Sequence, residues 1–290
     1  MKIINLSKKQ YEKLEELSLP KEVINTEGQM LKLTYHRKDK VIKRLYHQSG
    51  YIFANKLYTL EALDTNKELL PKSFIIPDSL VSVHHSIIGF TTPMMPNINL
   101  ASILKSKNFT YREQLYYLKK IGELLQELKA IRTYTNLKDI YINDLHEANF
   151  LFNIETKEMY VIDLDSCKIG NNSAFAARYL TSHSLLNQTE GKYHIINDNN
   201  QPGYIEPNEN TDLYCYIIII LSFLRGKNIN NATIEEFYNY LNYMDMIGIS
   251  KELLQVFNKI LASTENENPY LMLDEIEPAQ VYKLRTKNLK

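Results

Sequence analysis

The sequence predicts an α+β protein of two lobes, because its strand-like and helix-like segments are segregated along the chain. Short runs of β-forming residues dominate residues 22–91, whereas amphipathic helical patterns dominate the chain after Pro96. A short hairpin is embedded among these helices. We therefore predict an N-terminal lobe at residues 1–95 and a larger, mainly helical C-terminal lobe at residues 96–290.

The predicted N-terminal lobe contains one small antiparallel sheet and one principal helix. A capping box that begins at Ser7 predicts a first helix over residues 7–18. The principal helix is predicted at about residues 51–64, with Leu60 and Glu61 on its inward face. The predicted strands are Glu22–Asn25, Met30–His36, Lys40–Tyr46, Phe74–Ile76, Leu80–His84 and Ser86–Thr91.

The predicted C-terminal lobe combines helices with a hairpin. Capping boxes at Thr110 and Thr233 predict two helix starts, and the first of these helices is amphipathic to about Ala130. Residues 165–211 show little periodicity, which is typical of a functional or disordered segment. The hairpin is predicted at Phe150–Asn153 and Met159–Leu164, and further helices at Asp212–Leu224, Thr233–Tyr243 and Ser250–Ala262.

Composition excludes several classes of protein. The 34 basic and 34 acidic residues balance, so we expect no nucleic-acid partner. The longest apolar run, Tyr214–Leu224, is about half of the ~20 residues that a membrane span needs. Cys167 and Cys215 are too few for a disulfide framework, and Met1–Asn5 turns polar too early for a secretory signal. We therefore expect a cytoplasmic protein that does not contact membranes.

Three oxygen-bearing side chains flank the predicted hairpin. Asp144 and Asn149 lie in the loop before it, and Asp163 follows it, 14 positions after Asn149. A hairpin returns the chain to its starting edge, so these side chains are brought together. Carboxylate and amide oxygens are ligands that suit Mg²⁺ when it also binds phosphate oxygens.

This segment resembles the protein-kinase-like superfamily. Asp144-Leu145-His146-x-x-Asn149 resembles the catalytic loop D-L-[KH]-x-x-N, and Asp163-Leu164-Asp165 stands in the place of D-F-G. The resemblance implies that Asp144 orients and deprotonates the attacking hydroxyl. It also implies that Asn149 and Asp163 hold the Mg²⁺ ions that bridge the phosphates of ATP.

The resemblance extends into the N-terminal lobe. Val41-Ile42-Lys43 resembles the third-strand V-A-I-K, which implies that Lys43 contacts the α and β phosphates. Its ion-pair partner is then expected on the following helix. Glu61 is our first candidate for that partner, and Glu68 is the second.

Two further stretches resemble the nucleotide-binding parts of such a lobe. Gly28 is the one glycine left where a glycine-rich loop is expected, in the turn before the strand at Met30–His36. Residues 89–95 resemble the last strand and the hinge. The resemblance therefore implies that Thr92 and Met94 line the adenine site.

The chain also departs from the family pattern. Ile142 replaces the histidine expected two residues before the catalytic Asp, and the lost loop glycines remove backbone donors to phosphate. Asp165 replaces the glycine of D-F-G, where it either adds a metal ligand or alters the flexibility of the turn. Asp212-Leu213-Tyr214 resembles the start of the family's central helix. The activation-like segment 163–207 ends only a few residues before this helix begins.

The leading interpretation is an ATP- and Mg²⁺-dependent phosphotransferase, namely an atypical bacterial-type serine/threonine protein kinase. A small-molecule kinase of the aminoglycoside or choline phosphotransferase type is the second, because His146 is common in such enzymes. The third is a pseudokinase that binds a nucleotide or a partner, because the glycines are missing and Ile142 is present. The expected acceptor is a hydroxyl of a protein or of a small molecule.

Overall fold

The computed structural model describes residues 1–18, 28–95, 97–172, 195–196, 204–205, 207–261 and 267–287. Its contacts group the chain into two units. The first consists of Met1–Ala101 and Ala148–Ser173, and the second of Ser102–Glu147 and Ala174–Lys290. This grouping places the hairpin with the first unit; the predicted lobe boundary between residues 95 and 96 stays a prediction.

The strands, in chain order, are β1 (Lys2–Leu6), β2 (Glu15–Glu16), β3 (Gly28–Tyr35), β4 (Lys38–Leu45), β5 (Ser79–Val83), β6 (Ser86–Pro93), β7 (Ile98–Asn99), β8 (Ile140–Tyr141), β9 (Phe150–Phe152), β10 (Met159–Val161), β11 (Lys168–Ile169), β12 (Ile195–Ile196) and β13 (Tyr204–Ile205). The α-helices are α1 (Lys8–Tyr11), α2 (Gly50–Thr65), α3 (Leu100–Lys105), α4 (Tyr111–Tyr134), α5 (Glu209–Arg225), α6 (Ile234–Met246), α7 (Lys251–Leu261) and α8 (Pro278–Thr286).

A six-stranded sheet forms the centre of the first unit, in the order β1-β5-β6-β4-β3-β2. The pairs are antiparallel except for β1, which lies parallel to β5. Two-residue turns at His36-Arg37 and His84-His85 join β3 to β4 and β5 to β6, and all four residues have positive φ. Such turns match the twist of paired strands. The four strands predicted at Met30–His36, Lys40–Tyr46, Leu80–His84 and Ser86–Thr91 are therefore confirmed. The turn between the first two begins at His36, one residue earlier than the predicted strand ends imply.

The N-terminal residues of the first unit differ from the sequence prediction. The capping box of Ser7 is present, but α1 ends at Tyr11 instead of continuing to residue 18. Glu15 and Glu16 pair with β3 instead, because backbone hydrogen bonds to the sheet edge outweigh a weak local preference for helix. Strand β1 was not predicted at all. In the folded chain Ile4 and Leu6 are buried and Ile3 is exposed, an alternation that the sequence, with its adjacent Ile3 and Ile4, does not show.

Helix α2 packs on one face of the sheet, as predicted. Leu45 and Phe90 of the sheet form a core with Leu60 of the helix, whereas Ile42 belongs to the core of the other face. Side chains alternate along a strand, so Lys43 points to the same face as Leu45 and therefore towards α2.

The predicted hairpin is confirmed. Strands β9 and β10 pair antiparallel, and β9 also pairs with β7. The predicted strand Phe74–Ile76 is reduced to a single bridge between Phe74 and Val161. Backbone bonds of 2.8 Å from Val161 N to Ser73 O and of 2.9 Å from Ile75 N to Val161 O fix β10 to this segment.

The second unit is mainly helical. The capping boxes at Thr110 and Thr233 form as predicted and begin α4 and α6. Asn208 caps α5, and the apolar run of this helix is buried within the unit. None of the helices in the described ranges combines the length and the apolar composition that a bilayer crossing requires. The prediction of an α+β chain with a β-sheet lobe and a helical lobe is therefore confirmed.

Two predictions fall on other parts of the chain. The predicted strand Glu22–Asn25 and most of the activation-like segment 163–207 lie outside the described residues.

Two glycines flank β4, the strand that carries Lys43. A Cβ added to Gly89 of β6 would lie 2.0 Å from the carbonyl oxygen of Lys43, and one added to Gly28 of β3 would lie 2.5 Å from that of Arg44. Both carbonyl oxygens belong to the backbone of β4, so neither can move away from the added Cβ unless the strand itself shifts. We predict that Gly89→Ala lowers the free energy of unfolding by at least about 1–3 kcal/mol, measured by chemical denaturation. An unchanged midpoint would contradict this close packing.

Candidate functional site

Lys43 lies in a buried ion-pair cluster of the first unit. Its ammonium group is bound to Oδ1 of Asp163, and it lies 2.9 Å from Oδ1 of Asp165. Lys43 is 3% exposed and Asp165 1%, so these charges are paired away from solvent. The structure therefore brings together two residues, Lys43 and Asp163, that the sequence assigned to one site from positions 120 residues apart.

The hairpin positions the two predicted metal ligands. Asn149 immediately precedes β9, Asp163 follows β10, and Val161 of β10 pairs with Phe150 of β9. A backbone hydrogen bond of 3.0 Å from Ile162 N to the carbonyl of Asn149 extends this register. Asn149 and Asp163 therefore lie at the same end of the hairpin, as predicted from their spacing.

Asp163 has an unusual backbone. Its φ of 64° and ψ of 39° place it in the left-handed region, just before the 3₁₀ helix Leu164–Ser166. Aspartate tolerates this region better than most residues, and such strained positions concentrate at functional sites. The turn aims the Asp163 side chain at Lys43, and a quarter of that side chain remains exposed.

Helix α2 contributes a different residue from the one predicted. Glu61 is exposed and does not pair with Lys43, and Glu68 is exposed beyond the helix. The buried face of α2 consists instead of Lys56, Thr59, Leu60 and Leu63. Glu61 is one residue, or about 100°, away from Leu60, and this rotation turns it towards solvent. The predicted Glu61–Lys43 pair is therefore wrong.

Lys56 is the residue that sequence reasoning missed. It is 5% exposed, and its Nζ lies 2.7 Å from Oδ2 of Asp165 and 3.2 Å from Oγ of Ser166. Lys56, Leu60 and Leu63 have the i, i+4, i+7 spacing of one helical stripe. The position of this lysine on an otherwise apolar stripe of the helix is the sequence pattern that could have indicated its burial. We call Lys43, Lys56, Asp163 and Asp165 the four-charge cluster.

The two carboxylates of the cluster differ in electrostatics. Burial alone would raise the pKa of Asp165, but the ammonium groups of Lys43 and Lys56 hold it well below its ordinary value. Burial raises the pKa of Asp163 above its ordinary value; Lys43 opposes this shift, and the neighbouring Asp165 carboxylate adds to it. Asp165 therefore holds its proton more weakly than Asp163 does.

The oxygen donors of the first unit are of the type that binds Mg²⁺. Asp163 binds Lys43 through Oδ1 and keeps a quarter of its side chain exposed, and Asn149 lies at the same hairpin end. Asp165 does not fit as a third ligand, since both of its oxygens are bound by lysines. Within the described residues, no group of three or more histidine, cysteine or acidic side chains forms a metal cluster.

The other predicted nucleotide contacts lie along the sheet. Gly28 is the first residue of β3 and pairs with Leu45. Thr92 lies in β6 opposite Val41, and Met94 follows β6 with its side chain 39% exposed. The backbone N–H of Met94 donates to the carbonyl of Asp39 over 3.2 Å, so that donor is already used.

The predicted catalytic loop, with Asp144 and His146, belongs to the second unit. Nε2 of His146 lies 3.5 Å from Oδ2 of Asp144. Asp212 of α5 accepts hydrogen bonds from the backbone N–H groups of Ile142 (2.9 Å) and Asn143 (2.8 Å). Asn143 has a positive φ of 63°, and these two bonds hold the loop in that conformation just before Asp144.

Asp212 is buried, with 2% of its surface exposed. Burial raises its pKa to about 6, although the backbone N–H groups of Ile142 and Asn143 favour the carboxylate. The Asp212 carboxyl group therefore binds its proton more tightly in the folded chain than in the unfolded chain.

Comparisons with known proteins agree with this fold. No family model and no curated protein matches the sequence. Among solved structures, one described as an apo pseudokinase matches with a TM-score of 0.51 and 10% sequence identity, and the match covers 97% of each chain. A likeness at this identity shows the fold alone. The chain therefore has a protein-kinase-like fold.

The central position of Asp165 gives a stability prediction. Asp165→Asn leaves the buried ammonium groups of Lys43 and Lys56 without their shared anion, so we expect the free energy of unfolding to fall by about 3–5 kcal/mol. Chemical denaturation measures this loss. Asp139→Asn, the same change at an exposed aspartate, should have almost no effect. Equal effects of the two variants would show that the cluster does not contribute to stability.

The raised pKa of Asp212 gives a pH prediction. Its proton stabilises the folded chain at pH 4 and below, and this contribution is lost as the pH rises through 6. The free energy of unfolding of the wild type, relative to Asp212→Asn, should therefore decrease between pH 4 and 6, by up to about 1.4 kcal/mol per pH unit. Urea denaturation at several pH values measures this difference, and a difference that does not change with pH would refute the assignment.

Proposed function

We propose that this protein binds ATP with Mg²⁺ and transfers the γ-phosphate to a hydroxyl group. The observation that carries the proposal is the pairing of the buried Lys43 with Asp163, beside Asn149, in a protein-kinase-like fold. Phosphoryl transfer depends mainly on positioning and on neutralising charge, which a buried lysine and hard oxygen ligands supply.

Each residue of the proposal has a separate task. Lys43 would bind phosphate oxygens of ATP, and Asp163 and Asn149 would hold Mg²⁺. The metal would neutralise charge that develops on the phosphates. Asp144 would accept the proton of the attacking hydroxyl.

We further propose that the acceptor is a serine or threonine of a protein, as in an atypical bacterial-type protein kinase. A small-molecule hydroxyl is the alternative, and His146 beside Asp144 is the observation that favours it.

A second candidate function is that of a pseudokinase, which binds a nucleotide or a partner without transfer. Two observations favour it. Lys43 is shared between two carboxylates, and the N–H of Met94 is already used by Asp39. A nucleotide therefore has to compete with contacts that the protein already makes.

Two variants separate binding from transfer. Asp144→Asn removes the proton acceptor, so we expect phosphate transfer to fall by about 10²–10⁴-fold while the affinity for Mg·ATP stays the same. Asp163→Asn weakens the hold on Mg²⁺ and should reduce both the Mg²⁺-dependent affinity and transfer. Calorimetry with Mg·ATP and transfer of labelled phosphate to cell-extract proteins or to small alcohols measure the two quantities.

Three outcomes are informative. A wild type that binds Mg·ATP without any transfer would establish the pseudokinase. A wild type that does not bind Mg·ATP would contradict both the phosphotransferase and a nucleotide-binding pseudokinase at this site. Equal loss of affinity in both variants would show that the division of tasks between Asp144 and Asp163 is wrong.

A further inference from the structure

Helix α2 supplies a cation to the four-charge cluster, where the family resemblance implies an anion. The two oxygens of Asp165 are divided between two lysines: Oδ1 lies 2.9 Å from Lys43 and Oδ2 lies 2.7 Å from Lys56. The helix is therefore connected to Lys43 through Asp165 and not directly. We propose that Lys56 is a positioning residue that sets Lys43 by holding Asp165; this inference rests on the proposed function of the site.

A second contact fixes the orientation of α2 beside this connection. Nδ2 of Asn172 donates to Oγ1 of Thr59 and to the carbonyl of Cys167, both over 2.7 Å. Thr59 follows Lys56 by about one helical turn, so both residues face the segment after Asp163. Two attachments one turn apart prevent the helix from rotating about its axis and keep the Lys56 ammonium group against Asp165.

Charge balance explains why Lys56 matters for a nucleotide. When Lys43 engages phosphate oxygens, it shares less of its charge with Asp165. Lys56 then remains as the cation that compensates this buried carboxylate. Without Lys56, binding a nucleotide would draw the one remaining cation away from Asp165, and an unpaired buried carboxylate is costly. Lys56 therefore favours nucleotide binding without touching the nucleotide.

The first experiment measures the affinity for Mg·ATP by calorimetry. Lys56→Met should weaken it about tenfold or more, the size expected for a charge-assisted hydrogen bond. Lys56→Arg keeps the charge and should retain most of the affinity. Lys67→Met, the same change at an exposed lysine just beyond α2, should have no effect. Lys56→Gln replaces the Met variant if that protein does not fold.

Two controls separate positioning from general damage. In a Lys43→Met background, the additional Lys56→Met change should cause no further loss of affinity, because Lys56 acts through Lys43. The affinity for adenosine, which has no phosphates, should be the same in wild type and Lys56→Met. Unchanged Mg·ATP affinity in Lys56→Met, or an equal loss for adenosine, would overturn the inference.

A measurement without nucleotide distinguishes this inference from the proposed function. Lys43→Met and Lys56→Met both remove a partner of Asp165, so their effects on the denaturation midpoint should not add in the double variant. Additive effects would overturn the inference. A wild type that binds no ATP, together with non-additive midpoints, would refute the proposed function while Lys56 still positions Lys43.

Discussion

The shared carboxylate of Asp165 is the interaction on which the first unit depends. Three elements meet there: β4 brings Lys43, α2 brings Lys56, and the segment after β10 brings Asp165 itself. Removing charges from water is expensive unless each finds a partner, so few arrangements of these elements are acceptable. The same requirement places Asp163, the proposed metal ligand, against Lys43. Stability and the geometry of the candidate site therefore have one physical origin.

In the four-charge cluster, the helix carries a cation where the resembled family has an anion, and the segment after Asp163 carries an anion where the family has glycine. The resemblance implied a glutamate on α2 and a glycine two residues after Asp163. The structure has Lys56 on the helix and an aspartate, Asp165, at the position of that glycine. Each change alone would leave buried like charges close together or a lysine without a partner, whereas the two together compensate each other. With both carboxylates ionised, the cluster carries two positive and two negative charges, so the nucleotide of the proposed function would meet charges that already compensate each other.

Local patterns of the sequence predicted most of this fold, and non-local pairing accounts for most of what they missed. Capping boxes and the hairpin depend on residues that are close in the chain, and they form as predicted. Strand β1 depends on pairing with β5, more than 70 residues away, which no local pattern reveals. The face of α2 was ambiguous, because Leu60 belongs equally to a stripe with Glu61 and to one with Lys56. The family resemblance implied an anionic partner for Lys43 on this helix, which favoured the stripe with Glu61.

The structure also changes the weight of one departure from the family pattern. Ile142 stands where the resembled family has a histidine, two residues before Asp144, and from sequence alone this favours a pseudokinase. Asp212, however, binds the backbone N–H groups of Ile142 and Asn143, which any non-proline side chain leaves available. The Ile142 side chain is buried and apolar, so it adds packing where a histidine would need a polar partner. The loop that carries Asp144 is therefore held by main-chain contacts that do not depend on the missing histidine, and the replacement alone is no argument against catalysis.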